Sequence, residues 1–541
     1  MKKMSRYSHL ACYGICSLLT VQPVQSKEKP RHPNIVCIFT DDHAYQAISA
    51  YGHPISKLAP TPNIDRLAKG GMLFTRAFVE NSICTPSRAT LLTGLYSHQH
   101  GQTLLGNRMD TSKRWFVELL QKAGYKTSVF GKWHLNVEPK GFDYYNLLFD
   151  QGEYYNPKFK SPDTHGAYIQ EKGYVTKLIT NHAIEWIEEN SNNGRPFCIL
   201  INHKAPHRNW MPDLNHLNLY NDVTFPEPKT LLDDYATRGS QMKTQELTVA
   251  KHLGYAFDLK VEELKDEPTL QYIKESWPMA MSTLTPQERE IWDRAYASQN
   301  KEFLANRPQG DDLVRWKYQR YIKEYCRTIQ SLDEEVGRLI DFLGKKGMLE
   351  NTVIVYTSDQ GFLLGEHGLY DKRFMYEESY RTPLIINYPP MIKAGSICNE
   401  LVQNIDNAPT FLDLAGVKVP DEMAGKSMVP LFKNGKSKHW RRALYYHFYD
   451  YPAVGMVRKH YGVRTDQYKL IHWYGKGAGN DPDIDSWEMY DLKNDSLEIR
   501  NVHNTKEYRK KEQQLYQTLV KLRKEIGSKE GENTENQLTR H

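Results

Sequence analysis

Apolar runs that stop abruptly at acids or basic residues recur along this chain. Asn34-Ile35-Val36-Cys37-Ile38-Phe39-Thr40 is the first, and its length and β-branched content predict a strand buried on both faces. It discharges into Asp41-Asp42. Thr352-Val353-Ile354-Val355-Tyr356-Thr357 repeats the logic and ends in Ser358-Asp359-Gln360-Gly361. Two more predicted strands, Lys126 to Phe130 and Phe197 to Asn202, open into Gly131-Lys132-Trp133-His134 and His203-Lys204-Ala205-Pro206-His207. Helical patterns lie between them. Pro62 opens one, Trp115 to Ala123 and Tyr174 to Glu189 form others, and Tyr318 to Leu343 is the clearest. In that last segment Ile322, Cys326, Ile329, Leu332, Val336, Leu339 and Leu343 recur at three- and four-residue steps. From Arg208 to about Asp311 the chain is polar and Pro-punctuated, which predicts an irregular cover with patches of helix.

The pattern changes near Pro420 to Asn434, where Pro, Gly and Lys cluster. Beyond it, Ala443 to Tyr449, Tyr461 to Thr465, Tyr468 to Trp473 and Trp487 to Tyr490 read as short strands, and Tyr508 to Ile526 as a basic amphipathic helix. This predicts a small antiparallel sheet with a terminal helix. The expected division is a main domain over residues 30–430, a C-terminal subdomain over 431–526 and a disordered tail over 527–541.

The 541 residues suit two domains, and 40% hydrophobic content with a formal charge of +6 is ordinary for a folded protein. No basic stripe interleaved with aromatics points to nucleic acid. Residues 1–26 read as a secretory signal: Lys2, Lys3 and Arg6 precede a modestly apolar core from Leu10 to Val21 and a polar end from Gln22 to Ser26. The expectation is export to the periplasm or outside the cell; a lipidated Cys12 or Cys16 and a disordered leader are the lesser alternatives. No other stretch approaches the ~20 apolar residues of a transmembrane helix. Of the seven cysteines, those outside the leader show no Cys-x-x-Cys pair, so a disulfide framework or a zinc site is not expected.

The chemistry centres on Cys84-Thr85-Pro86-Ser87-Arg88-Ala89-Thr90. Pro86 suits a first helical turn and Gly94 a helix stop, so Cys84 lies beside the free amides of a helix N-terminus, with Arg88 one turn on. Taken alone, these residues equally describe a buried structural cysteine near an arginine. Asp41-Asp42 alone equally describes a turn or a helix cap. However, ligands in open α/β sheets sit outside the carboxyl ends of the strands. Asp41, Asp42, Asp359 and Gln360 would offer a cation hard oxygen donors, which select calcium or magnesium over zinc.

The string Cys-x-Pro-Ser-Arg, continued here by Ala-Thr-Leu-Leu-Thr-Gly, resembles the signature of the type I sulfatases. The resemblance extends to Thr-Pro-Asn-Ile-Asp-Arg-Leu (61–67), Gly-Lys-Trp-His (131–134), the Pro206-His207 pair and the stretch from Gly368 to Pro383. It implies an alkaline-phosphatase-like α/β fold, a large mixed sheet flanked by helices with a smaller C-terminal antiparallel-sheet subdomain. It also implies that a dedicated maturation enzyme oxidises Cys84 to formylglycine, whose hydrate is the nucleophile on a sulfate ester. The implied catalytic set is Cys84, Arg88, Lys132, His134, His207 and Lys372. His134 would take a proton from the hydrate, and His207 or Lys372 would protonate the departing oxygen. The implied metal ligands are Asp41, Asp42, residue 84, Asp359 and Gln360, for Ca2+ or Mg2+. The family more often has Asn or His where this chain has Gln360.

Within the family, Lys204 to Trp210 and Tyr445 to Trp473 resemble the bacterial glycosaminoglycan and N-acetylglucosamine-6-sulfatase branch. That implies a sulfated carbohydrate substrate, with His203, Arg208, Trp210, His447, Arg458 and His460 as candidate sugar contacts; for each, ordinary surface or packing is the competing reading. Two rival functions remain at this stage: a phosphonate or phosphate monoester hydrolase, and a glycan-binding protein in which Cys84 is never matured.

Overall fold

The computed structural model describes Met1 and residues 32–267 and 269–529. The leader and all but the first residues of the tail lie outside the described residues. A ten-stranded sheet forms the scaffold: β1 (Asn34–Thr40), β2 (Met72–Phe74), β3 (Lys126–Gly131), β4 (Tyr144–Leu148), β5 (Lys158–Lys160), β6 (Ile169–Gln170), β7 (Phe197–Asn202), β8 (Thr352–Ser358), β9 (Leu384–Asn387) and β10 (Ser396–Cys398). The spatial order is β10-β2-β9-β8-β1-β7-β3-β4-β5-β6. The centre is parallel, with β1 between β8 and β7, and β3 outside β7. β9 runs antiparallel to β8, which makes the sheet mixed.

Alternation along each central strand explains why these runs read as continuously apolar. Val36 and Ile38, Ile199 and Ile201, and Ile354 and Tyr356 face one layer. Ile35 and Cys37, Cys198 and Leu200, and Val353 and Val355 face the other. The first layer includes helices over Val175–Asn190 and Gly310–Lys345. The second includes helices over Phe116–Lys122 and Asn407–Leu414. With both faces covered, the strands' carboxyl ends are where polar residues can gather.

The C-terminal strands β11 (Ala443–Phe448), β12 (His460–Thr465), β13 (Tyr468–Gly475) and β14 (Ile484–Asp491) form an antiparallel meander. One face, with Tyr461, Val463, Leu470 and Met489, packs against Leu515 and Leu519 of the helix Arg509–Ile526. Its other face, including Tyr446, Phe448 and Trp473, joins the core that carries Phe374 and Met375. Among the described residues no helix is long and apolar enough to cross a membrane.

The cover between residues 208 and 311 is more ordered than its sequence predicts. It contains helices over Gln271–Ser282 and Pro286–Ala305, and the long helix expected from Tyr318 begins at Gly310. Thr285 and Glu288 form a capping box, with Glu288 N donating to Thr285 Oγ1 at 3.3 Å and Thr285 N to a Glu288 carboxylate oxygen at 2.7 Å. Trp292, Tyr296 and Phe303 are buried from the second of these helices. Three large aromatics at helical spacing anchor an otherwise polar segment.

Candidate functional site

Four central strands and one helix deliver their chemistry to one spot. β1 ends in Asp41 and Asp42, β8 in Asp359 and Gln360, β3 in Lys132 and His134, and β7 in the His203 to His207 turn. Gly131 makes the exit from β3 possible: its φ is +90°, and a Cβ there would lie 2.2 Å from the Asn202 carbonyl oxygen. The helix Cys84–Thr93 starts at Cys84 itself and stops at Gly94, which takes the left-handed C-cap at φ 65°. Asp42 and His134 also hold left-handed φ values, 67° and 48°, in a site where the surrounding structure fixes them.

Three carboxylates and three cations interlock beneath Cys84. Lys132 Nζ pairs with Asp41 Oδ2. Arg88 donates to Asp359 Oδ2 at 2.9 Å, lies 3.6 Å from Asp41 Oδ2, and donates to the Lys132 carbonyl at 3.1 Å. Lys372 Nζ lies 2.5 Å from Asp42 Oδ1 and 3.0 Å from Cys84 Sγ. The Cys84 thiol donates to Asp41 Oδ1 at 3.4 Å. His207 Nε2 stands 3.8 Å from Asp42 Oδ2, while its Nδ1 meets the Arg208 carbonyl at 2.5 Å.

This crowding sets the protonation states. Burial would raise the Asp41 carboxyl, but the charges of Lys132, Arg88 and Lys372 together hold it well below its ordinary range. Burial and the neighbouring acids push Asp42 up to about 6 and Asp359 up to about 8, against the pull of Lys372 and Arg88. Burial, with Asp41 adding to it, pushes the Cys84 thiol up to about 12. An unmodified cysteine here stays a thiol, a poor nucleophile. Burial and the nearby lysines keep His134 and His207 neutral.

A divalent cation fits this donor set. Asp41, Asp42 and Asp359 each offer a carboxylate oxygen within 4.8 Å of the others, all buried. Gln360 Oε1 is buried with no hydrogen-bond partner, while its Nε2 reaches Asp42 Oδ1 at 2.5 Å. A turned amide would present that oxygen to a cation shared with the carboxylates. The all-oxygen chemistry matches calcium or magnesium.

Above Cys84 opens a cavity of about 340 Å³. Cys84, His207, Arg208 and Lys372 line it, as expected of a reaction site. Arg88, Lys132 and His134 do not. Arg88 and Lys132 pair instead with the Asp359 and Asp41 carboxylates. Sequence reasoning missed Gln151, Lys204, Tyr272, Asp371 and Arg373 on the cavity wall. Asp371 and Arg373 flank Lys372 and pair with each other. Arg208 is locked by Asp258 at 2.7 and 2.6 Å and by the Tyr272 hydroxyl at 2.6 Å.

Five expected sugar contacts are placed elsewhere. Trp210 is fully buried against Tyr321 and Phe362. His447 is buried between the hydroxyls of Tyr445 and Tyr474, at 2.8 and 2.7 Å. His460 accepts from Met375 N at 3.1 Å and stacks on Trp473. Arg458 is buried against Tyr451 and the Gly475 carbonyl. His203 is buried, its backbone N–H bonded to the Phe39 carbonyl at 2.9 Å. In each case packing, the competing reading, describes the residue. Trp210→Ala should accordingly cost stability, about 3–5 kcal/mol by denaturant unfolding. A higher KM at unchanged stability would return it to the substrate.

The Sulfatase family model matches residues 33–417, and the model described as N-sulphoglucosamine sulphohydrolase, C-terminal, matches residues 365–525. The chain is 44% identical over 521 residues to an N-acetylglucosamine-6-O-sulfatase of Bacteroides thetaiotaomicron, covering 95% of this chain and 90% of that protein. It superposes with TM-score 0.86 and 43% identity on a solved structure in complex with its substrate D-glucosamine-2-N,6-O-disulfate, over 94% of this chain and 100% of that one. A phosphonate monoester hydrolase from Silicibacter pomeroyi shares the fold, with TM-score 0.66 at 18% identity over 91% of this chain and 96% of that one.

Proposed function

The chain belongs to the sulfatase family, and on that premise we propose that it hydrolyses 6-O-sulfate esters of N-substituted glucosamine, within or derived from glycosaminoglycans. The observation that carries the reading is Cys84, seated at a helix N-terminus on the cavity floor between Lys372 Nζ and Asp41 Oδ1. Its 44% identity to an N-acetylglucosamine-6-O-sulfatase and the disulfated glucosamine bound by a 43% identical structure support the sugar and the position. Export, with a formylglycine-generating enzyme acting on Cys84, completes the proposal.

When formed at position 84, formylglycine supplies a hydrated aldehyde as nucleophile. Asp41, Asp42, Asp359, Gln360 and residue 84 would hold a calcium ion, which would supply Lewis-acid charge for the reaction. This chain's own residues do the rest. Lys132 pairs with Asp41 and helps hold it ionised, while Arg88 pairs with Asp359 and favours the carboxylate form that a bound cation would need. Lys372 Nζ, aimed at residue 84 from the cavity wall, holds the sulfuryl group. His207 Nε2 and Lys372 Nζ are the groups placed to give the departing sugar oxygen its proton. His134, kept neutral by burial, accepts a proton at residue 84.

The test is sulfate release from N-acetylglucosamine-6-sulfate against 2-O- and N-sulfated glucosamines, with paired aryl sulfate and aryl phosphonate esters. A 6-O preference supports the reading. Faster phosphonate hydrolysis, or tight sugar binding without turnover by formylglycine-bearing protein, overturns it. Removing the metal should also be decisive. Dialysis against EDTA should cut kcat at least ~100-fold and lower Tm, because binding to the folded form alone stabilises it. Added Ca2+ should restore both.

A further inference from the structure

One polar contact near Cys84 belongs to none of the roles above. The loop after β4 carries Gln151, whose side-chain Nε2 lies 2.8 Å from His134 Nε2. The opposite ring nitrogen, Nδ1, lies 3.4 Å from the hydroxyl of Thr85, the residue after Cys84. Gln151 is held in turn: Lys204 Nζ donates to its backbone carbonyl at 3.4 Å, and Gly152 N closes a turn onto Phe149 O at 2.8 Å. Asp150 enters that turn at a left-handed φ of 47°.

A neutral imidazole carries one proton, and its place decides what the ring can do. If Gln151 donates its N–H to Nε2, the ring proton sits on Nδ1, and the nitrogen that meets the hydroxyl of Thr85, the residue after Cys84, cannot accept another. That orientation also leaves Gln151 Oε1 buried without a partner. The ends of an amide are nearly isosteric, so turning it by half a revolution brings Oε1 onto Nε2.

We infer that Gln151 is a positioning residue whose Oε1 accepts from His134 Nε2–H and so keeps Nδ1 unprotonated towards residue 84. The inference rests on His134 being the group that accepts a proton there. The free hydroxyl of the sulfated hydrate at residue 84 would give its proton to Nδ1, its O–H electron pair would close the aldehyde C=O, the C–O bond to sulfate would break and sulfate would leave, while the Nε2–H bond to Gln151 persists throughout. The ring becomes an imidazolium, stabilised by an acceptor already in place, and later returns the proton to water. Burial and the charges of Lys132 and Arg88 favour the neutral ring before the step.

The test compares Gln151→Leu, Gln151→Glu and His134→Ala in the mature, calcium-loaded protein, with Tm and formylglycine content measured for each. Gln151→Leu should lower kcat by roughly 10–100-fold with KM little changed, the size usual for the partner of a functional imidazole. Gln151→Glu, whose carboxylate can only accept, should recover most of that loss. A Glu variant as slow as the Leu variant, at wild-type Tm, would mean that the amide donates, and would overturn the inference. Wild-type kcat in Gln151→Leu beside an inactive His134→Ala would overturn it too, leaving the role of His134 intact. Full activity in His134→Ala would remove the premise itself and with it the inference.

Discussion

Cys84→Ala should abolish turnover and leave the fold standing. Knocking out a catalytic nucleophile costs on the order of 10⁶-fold in kcat, and no other described group stands in the place of this one. Lys372 Nζ at 3.0 Å, the Asp41 carboxylate at 3.4 Å and Gln360 Nε2 at 3.9 Å converge on Sγ. The stability cost should be about 1 kcal/mol, since a small buried side chain is replaced by a slightly smaller one. Cys84→Ser is the sharper variant. It keeps a hydroxyl between the same partners, so residual activity there would show how far a simple alkoxide can serve. The accompanying check is the mass of the peptide containing residue 84, about 18 Da below the cysteine form when formylglycine is present. Wild-type protein with an unmodified thiol and full sulfatase activity would overturn the nucleophile assignment, because burial makes that thiol unreactive.

The core of this site was legible in the sequence because its residues are tied to strand ends. A run such as Ile35 to Phe39 announces a buried strand, and the acids after it can only lie at the carboxyl edge. β1, β3, β7 and β8 are neighbours in the sheet, so their end residues meet without any special folding of loops. Residues in the C-terminal meander carry no such tie. His447 and His460 sit on β11 and β12, and whether a strand residue faces ligand or core depends on register and on what packs there. Both face core. Gln151 and Tyr272 were illegible for the opposite reason: a loop and a peripheral helix place them, and nothing local marks a glutamine or a tyrosine as a wall residue. The helix Pro286–Ala305 was legible and missed. Thr285-Pro286-Gln287-Glu288 is a capping box with proline at N1, and the buried aromatics Trp292, Tyr296 and Phe303 follow at helical spacing.

Lys372→Met should lower kcat/KM by about 10⁴-fold while retaining the fold. One oriented donor on developing charge contributes about 10²–10³-fold, and proton delivery to the leaving oxygen adds further. Methionine keeps most of the side chain's length and apolar stem, so the cavity wall survives and only the charge goes. That charge also lies on Asp42, in a pair whose members are both nearly inaccessible, 4% and 1% exposed. Removing one partner of a buried pair leaves the other uncompensated, at about 3–5 kcal/mol. Bound calcium would still neutralise Asp42, so the Tm loss should be small with Ca2+ and large after EDTA. This split separates the two jobs of Lys372: catalysis falls in both conditions, stability only in one. Lys372→Arg should restore the stability without the rate, since a planar guanidinium can pair with Asp42 but cannot place a compact ammonium beside residue 84. Equal Tm losses with and without Ca2+ would mean that Asp42 is not a ligand. More than a tenth of wild-type activity in Lys372→Met would mean that this lysine does not hold the sulfuryl group.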